Sequence, residues 1–282
     1  MNKRNIIYFS FISTFLFIIC IITYIIIRLH LNEYINVNGY PIAYLENKRG
    51  ICYINTLFQL FYGGSVGRFF IENNFDANSV EHKFKNIFMK MKNGGKINLQ
   101  DDYITLFKSM NFDKKEYKTG GDSRRLLYLV IKYLIKNKKN KNYGNFRKIF
   151  EGIAASTIEK NSIKKYNFDR VNIEKEIYKI KKNLYGIYPQ TISLLFSGYF
   201  KYNINYVKNN LKFNIKIKNK KYDLRSIAVL TGKGDKPTHI YSIIKAKKDW
   251  FILNDLKIKK IQQNEIYSHI ISINILFYEA NE

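Results

Sequence analysis

The sequence changes character partway along, and that change limits the fold more than any single motif does. Residues 44 to about 185 read mainly as helix, with apolar side chains at three- and four-residue spacing. From residue 188 onward the chain breaks into short runs rich in Ile, Val, Phe and Tyr: TISLLFSGYFKYNINYV, NLKFNIKIKNKKYDL, SIAVLTG, HIYSIIKA, DWFILND and HIISINILFYEA. Several alternate, and turn residues separate them, as in antiparallel strands. A helical half followed by a β half is an α+β arrangement. The 46% hydrophobic and 16% aromatic content is enough to give it a core.

Ahead of this domain, Ile6 to Ile27 carry no charge and are almost wholly apolar. As a helix rising ~1.5 Å per residue the run extends about 33 Å, enough for a bilayer. It is long for the apolar core of a signal peptide, and no small-residue cleavage site follows. A single-pass transmembrane anchor over residues 1–28 is therefore expected, then a linker over 29–43 and one domain over 44–282. Lys3, Arg4 and the terminal amine slightly outweigh Arg28, a weak pointer to an N-terminus in the cytosol.

The formal net charge is +26. The lysines are spread along the chain and no nucleic-acid recognition motif accompanies them, so solvated lysine faces are expected and a nucleic-acid partner is not. Two cysteines exclude a disulfide framework and a cysteine-rich zinc site. No metal and no cofactor is expected.

Cys52 is the only cysteine outside the apolar run, in NKRGICYINTLFQLFY, residues 47–62. Ile54, Leu57, Phe58 and Phe61 follow it at helical spacing, which predicts a loop delivering the thiol to the first turn of a buried helix that ends near Gly63-Gly64. There the helix N-terminus favours a thiolate. The alternative is a thiol packed as a small hydrophobe. Further helices are predicted over 82–92 and 120–136, the latter capped near Asp122 or Ser123, with a basic loop over 136–148. Residues 157–183 are Lys-rich and weakly patterned.

A cysteine nucleophile needs a base, a group to orient that base, and donors for an oxyanion. Of four histidines, His30 adjoins the apolar run, His82 falls in a helix and His269 in a late strand. His239 opens the run HIYSIIKA directly after a loop, where a base facing a cleft would sit. The next run, Trp250 to Leu253, ends in Asn254-Asp255, and an antiparallel hairpin would bring one of these near His239.

These segments resemble the ubiquitin-specific proteases, which have a papain-like fold. The family's cysteine box is matched at Leu45, Asn47, Cys52, Tyr53, Asn55 and Gln59, with Thr56 for a serine. Its histidine box is matched at Tyr222, Leu224, Val229, Gly232, His239, Trp250, Asn254 and Asp255. GGDSRRLLYLV (120–130), LLFSGYFKYNINY (194–206) and INILFYEA (273–280) resemble three further segments in the expected order. The resemblance implies a helical thumb over about 44–185 and an antiparallel palm with reduced fingers over about 186–282. It implies Cys52 as nucleophile, His239 as base, Asn254 as its orienting partner and Asn47 as oxyanion donor. Asp255 and Gln59 become supporting residues, and Asp122 would bind the basic tail of the substrate.

Some positions depart from the family. Arg49 stands where it has glycine, with Gly50 one residue late. Thr238 and Ile240 flank His239 in place of Gly and Tyr, and Arg125 replaces a glutamate. The zinc-binding cysteine pairs of the fingers are absent. The resemblance implies a cysteine-dependent hydrolase acting on the bond after the C-terminal glycine of ubiquitin. Ubiquitin and ubiquitinated proteins would be its partners, and its domain would face the cytosol from the mitochondrial outer membrane or the endoplasmic reticulum. The alternatives are a catalytically weak pseudoenzyme that binds ubiquitin, a protease for a ubiquitin-like modifier, and a basic scaffold with no site.

Overall fold

A computed structural model describes residues 14–27, 36–37, 40–117, 120–136, 142–150, 190–196, 201–217, 219–233, 236–246 and 248–281. The first helix, α1, covers residues 14–27 with its side chains exposed. Among the described residues no helix is long and apolar enough to cross a membrane. This corrects the anchor expected over 6–27: the described part of α1 rises only about 21 Å, against a hydrocarbon core of ~30 Å. The placement on a mitochondrial or endoplasmic reticulum membrane rested on that anchor and falls with it. Residues 6–13 and most of the linker lie outside the described residues.

The helical half is built around α2 (Cys52–Tyr62), in which every residue from Tyr53 to Tyr62 is buried. Such a helix is the axis of a core rather than a surface element. Around it lie α3 (Ser65–Glu72), α4 (Val80–Lys92), α5 (Gln100–Ser109), α6 (Ser123–Lys136) and α7 (Tyr143–Phe150). Phe58 of α2 packs among Phe84, Phe88, Tyr103 and Phe107 with ring centroids 4.7–6.5 Å apart. Local signals fix several helix ends. Ser79 Oγ accepts from the N–H of His82 at the start of α4, and Lys90 and Lys92 occupy its last turn. Asp122 caps α6, its Oδ1 accepting from the N–H of Arg124 at 2.9 Å. The basic loop expected over 136–148 is corrected in part: α7 begins at Tyr143 because Phe146 and Ile149 bury one face against the core. The Lys-rich stretch 157–183 lies outside the described residues.

Short pairs β1 (Asn36–Val37) with β2 (Tyr40–Pro41), and β3 (Ala43–Leu45) with β4 (Gly95–Ile97), precede the main sheet. That sheet comprises β5 (Thr191–Leu195), β6 (Asn214–Ile217), β7 (Lys220–Lys233), β8 (Lys236–Ala246), β9 (Asp249–Asn254), β10 (Lys257–Ile261) and β11 (Ser272–Ala280). Its order is β10-β9-β8-β7-β11-β5, with β6 also on β7, all antiparallel. Alternation sends Ile240, Ile244, Phe251 and Leu253 to the core shared with the helices. Tyr241, Ile243, Trp250 and Ile252 go to a second core, to which α8 (Ile204–Asn210) and α9 (Ile266–His269) contribute Val207 and Ile266. His269, expected in a strand, ends α9 instead, and strand pairing starts at Ser272. The fold is thus a mixed one of helices and an antiparallel sheet. The transmembrane helix of the expected architecture is not among the described elements.

Candidate active site

Cys52 is the first residue of α2, half-buried, and Ile51 before it provides no side-chain cap. Its backbone N–H belongs to the first helical turn, where no carbonyl within the helix can reach it. The chain enters through a turn with two consecutive left-handed residues, Arg49 at φ 59° and Gly50 at φ 68°. Glycine accepts this conformation freely; arginine does so at some strain. The N–H of Gly120 donates to Gly50 O at 3.2 Å. Gly121 lies so close to Tyr53 that a Cβ there would fall 2.4 Å from the ring. The start of α6 is thereby pressed against the cysteine turn.

Three polar side chains of α2 hold the helix in place. Asn55 Nδ2 donates to Glu46 O at 3.1 Å, and its Oδ1 accepts from Tyr103 Oη at 3.2 Å. Thr56 Oγ1 donates to Ile240 O at 3.3 Å, next to His239 in sequence. Gln59 Oε1 accepts from Ser242 Oγ at 2.8 Å. All three are buried, so each bond lost would leave a desolvated polar group behind. Two of them clamp the cysteine helix to β8, the strand that carries the histidine.

On the sheet side, Ser242 pairs with Leu253 and Asn254 with Lys257, around a two-residue turn of Asp255 and Leu256. Asn254 therefore lies one step beyond the last β8–β9 pair, diagonally across from His239, within side-chain reach. Its Oδ1 is 2.7 Å from His239 Nε2. An amide oxygen can only accept, so Nε2 carries a proton, leaving Nδ1 as the ring nitrogen for Cys52. The hydrogen bond with Cys52 is the largest cause raising the pKa of His239, to about 9. Burial opposes this, while Asn254 and the charge of Asp255 add to it.

Asp255, also left-handed at φ 52°, joins the two sides. Its Oδ2 accepts from Asn47 Nδ2 at 3.1 Å and lies 3.7 Å from His239 Nε2. Asn47 therefore has one amide N–H committed to Asp255 and a second to offer elsewhere. Asp122 stands apart. Its carboxylate accepts from Arg124 Nε at 3.0 Å and from an Arg124 Nη at 2.6 Å, while the other Nη donates to Phe196 O at 2.7 Å. Burial, the largest single influence, pushes the Asp122 pKa up, but the hydrogen bonds and charge of Arg124 together outweigh it and hold the carboxyl below its ordinary value. Among the sequence-derived residues, then, His239, Asn254, Asp255 and Asn47 form one hydrogen-bonded and ionic cluster beside Cys52. Gln59 supports it from below, and Asp122 is engaged by its own neighbour. Sequence reasoning missed Tyr103, Ser242 and Gly121. Only Gly121 carried a signal, as half of a Gly-Gly pair ahead of a helix.

No group of His, Cys, Asp and Glu side chains that could hold a metal ion occurs among the described residues. No family model matches the chain, and no curated protein matches its sequence. Solved structures do. An essential yeast splicing factor aligns over 88% of this chain and 72% of its own, with a TM-score of 0.63 at 15% identity. The Saccharomyces cerevisiae Pan2 pseudoubiquitin hydrolase–RNA exonuclease module aligns over 86% of this chain and 55% of its own, with a TM-score of 0.62 at 15% identity. The SAGA DUB module of Ubp8, Sgf11, Sus1 and Sgf73 bound to monoubiquitin aligns over 86% of this chain and 69% of its own, at 0.58 and 14%. At such identities the likeness speaks for the fold alone, and the fold of this chain is that of the ubiquitin-protease-like domains.

Proposed function

We propose that the chain is a cysteine-dependent deubiquitinase, hydrolysing the bond after the C-terminal glycine of ubiquitin on protein conjugates. The observation that carries this is His239 held between Asn254 and Cys52 at the head of α2. His239, its pKa raised to about 9, takes the proton of Cys52 and holds it as an imidazolium at neutral pH. The thiolate attacks the glycine carbonyl. The second N–H of Asn47 and the backbone N–H of Cys52 stabilise the oxyanion. His239 gives its proton to the departing amine as the C–N bond breaks and a thioester forms. Now neutral, it takes a proton from water, whose oxygen attacks the thioester; the acid leaves and the thiol is restored.

Asp122 enters this reading as the receptor for a basic substrate tail. To serve, Arg124 must swing away and give up two side-chain hydrogen bonds to it. A second reading, a binding module of the same fold with weak or lost activity, is favoured by the strained Arg49 and by the occupied Asp122. A protease for a ubiquitin-like modifier is a variant of the first. A ubiquitin suicide probe separates them: covalent labelling of Cys52 supports the hydrolase. Binding without labelling supports the module, and labelling only by a ubiquitin-like probe supports the variant.

A further inference from the structure

Away from the cleft, the described residues enclose an open polar cavity of about 660 Å³ between α3, α7 and the outer ends of β7 and β11. Arg68, Lys148, Lys220 and Arg225 line it together with Glu72 and Glu279. Along β7, Arg225 is six residues from Thr231, the partner of His239, which puts it about 20 Å from the catalytic pair.

Three of these cations, Lys148, Lys220 and Arg225, are under-partnered. Among the described residues neither Lys148 Nζ nor Lys220 Nζ has a hydrogen-bond or ion-pair partner. Arg225 Nε is buried without a hydrogen bond, its nearest carboxylate oxygen, Glu279 Oε2, being 3.7 Å away. Glu279 is itself held by the N–H of Ser65 at the start of α3, a position that welcomes negative charge. The resident carboxylate is therefore already engaged, while two ammonium groups and a guanidinium retain open donors. Four cations against two carboxylates leave an excess that a dianion would match and a single carboxylate would not. The volume exceeds what a bare inorganic anion fills and falls in the range of small-molecule sites.

We propose that this cavity binds a phosphorylated small molecule, its phosphomonoester dianion held by Lys148, Lys220 and Arg225 and the remainder by the polar walls. Arg225 supplies a planar fork of donors, and the lysines supply mobile point charges, a combination suited to phosphate oxygens. This cavity shares no residue with the proposed hydrolase centre, so a variant lacking Cys52 would keep it intact.

Adenosine 5′-monophosphate, adenosine and inorganic phosphate serve as probes, titrated into the full chain at fixed ionic strength by calorimetry. The nucleotide should bind, adenosine should not, and inorganic phosphate should bind about tenfold more weakly than the nucleotide. Lys148→Ala with Lys220→Ala should weaken nucleotide binding about tenfold or more. Since the whole chain is strongly basic, Lys108→Ala with Lys259→Ala removes the same charge from exposed sites elsewhere and should leave affinity within about twofold. Equal losses in the two double variants, or nucleotide binding no tighter than inorganic phosphate, would overturn the proposal. Both pairs are exposed or half-buried lysines, so folding is retained in either.

Discussion

The candidate centre has two sides that are positioned by different means. On the sheet side, His239 and Asn254 are placed by backbone ladders: the β7–β8 and β8–β9 registers and a two-residue turn fix where both side chains emerge. On the helix side, Cys52 emerges from a turn with two left-handed residues, and side-chain bonds from Asn55, Thr56 and Gln59 hold the helix behind it. A ladder is redundant, since one lost bond leaves many. A turn clamped by three buried side chains is not. Substitutions on the sheet side should therefore change chemistry while leaving the fold intact, and those on the helix side should change stability along with it.

The largest test of this contrast is at the reacting atoms. Cys52→Ala should lower hydrolysis of a ubiquitin C-terminal fluorogenic substrate by about 10⁴-fold or more, with ubiquitin affinity retained. His239→Ala should do the same, and the double variant should be no worse, because the two act as one unit. Turnover by Cys52→Ala at the wild-type rate would end the hydrolase reading. Next comes Asn254→Ala, expected to slow probe labelling of Cys52 by about 100-fold with little change in melting temperature. A large fall in melting temperature would show that the sheet side is less redundant than its ladders suggest.

The helix side should behave in the opposite way. Gly121→Ala forces a methyl into the Tyr53 ring and should destabilise by about 1–3 kcal/mol in denaturant unfolding, dragging labelling down with it. Ser242→Ala, a change on β8 that acts on the helix side by stripping the partner from buried Gln59 Oε1, is the exception among sheet residues and should destabilise by a similar amount. The smallest effect is expected at Arg49→Gly. Glycine removes the left-handed strain but adds freedom to the unfolded chain, so a gain of up to about 1 kcal/mol is expected.

Titration probes the link between the sides. The folded pKa of His239, about 9, lies above the ordinary imidazole value of 6.5. Its stabilising contribution is then complete below pH about 6.5 and is lost as pH rises through about 9. In Cys52→Ala the largest contributor is gone, so the His239 ring signal in heteronuclear NMR should titrate at lower pH. An unchanged midpoint would mean that the cysteine and histidine do not interact.

How much was legible in the sequence follows the same division. HIYSIIKA and the run Trp250 to Leu253 were legible as two consecutive strands, and an antiparallel hairpin between them brings Asn254 to His239 by register. The bounds of α2 were legible because its apolar spacing stops at a Gly pair. By contrast, the bond from Asn47 to Asp255, the clamp of Gln59 on Ser242 and the capture of Asp122 by Arg124 join residues whose proximity no local pattern encodes. Helix α7 was hidden inside a basic stretch because its signal is two residues, Phe146 and Ile149, that matter only once a core exists to receive them. The apolar run at the N-terminus misled in the other direction. Hydropathy measures what a segment could cross, and the described helix there covers residues 14–27.

Asp255 sits at the tip of the hairpin between β9 and β10, and β10 is the outermost strand of the sheet. It carries Lys257, Lys259 and Lys260, the kind of charge that discourages another strand from pairing there. The carboxylate that touches both Asn47 and His239 is thus moored to a strand that, among the described residues, has a neighbour on one side only. An edge strand is held by one ladder rather than two, so fraying of β10 would release Asp255 from Asn47 and His239 before the central strands open. The lysines of β10, far from being an idle consequence of a basic composition, would keep a foreign strand from pairing beside the turn that holds Asp255.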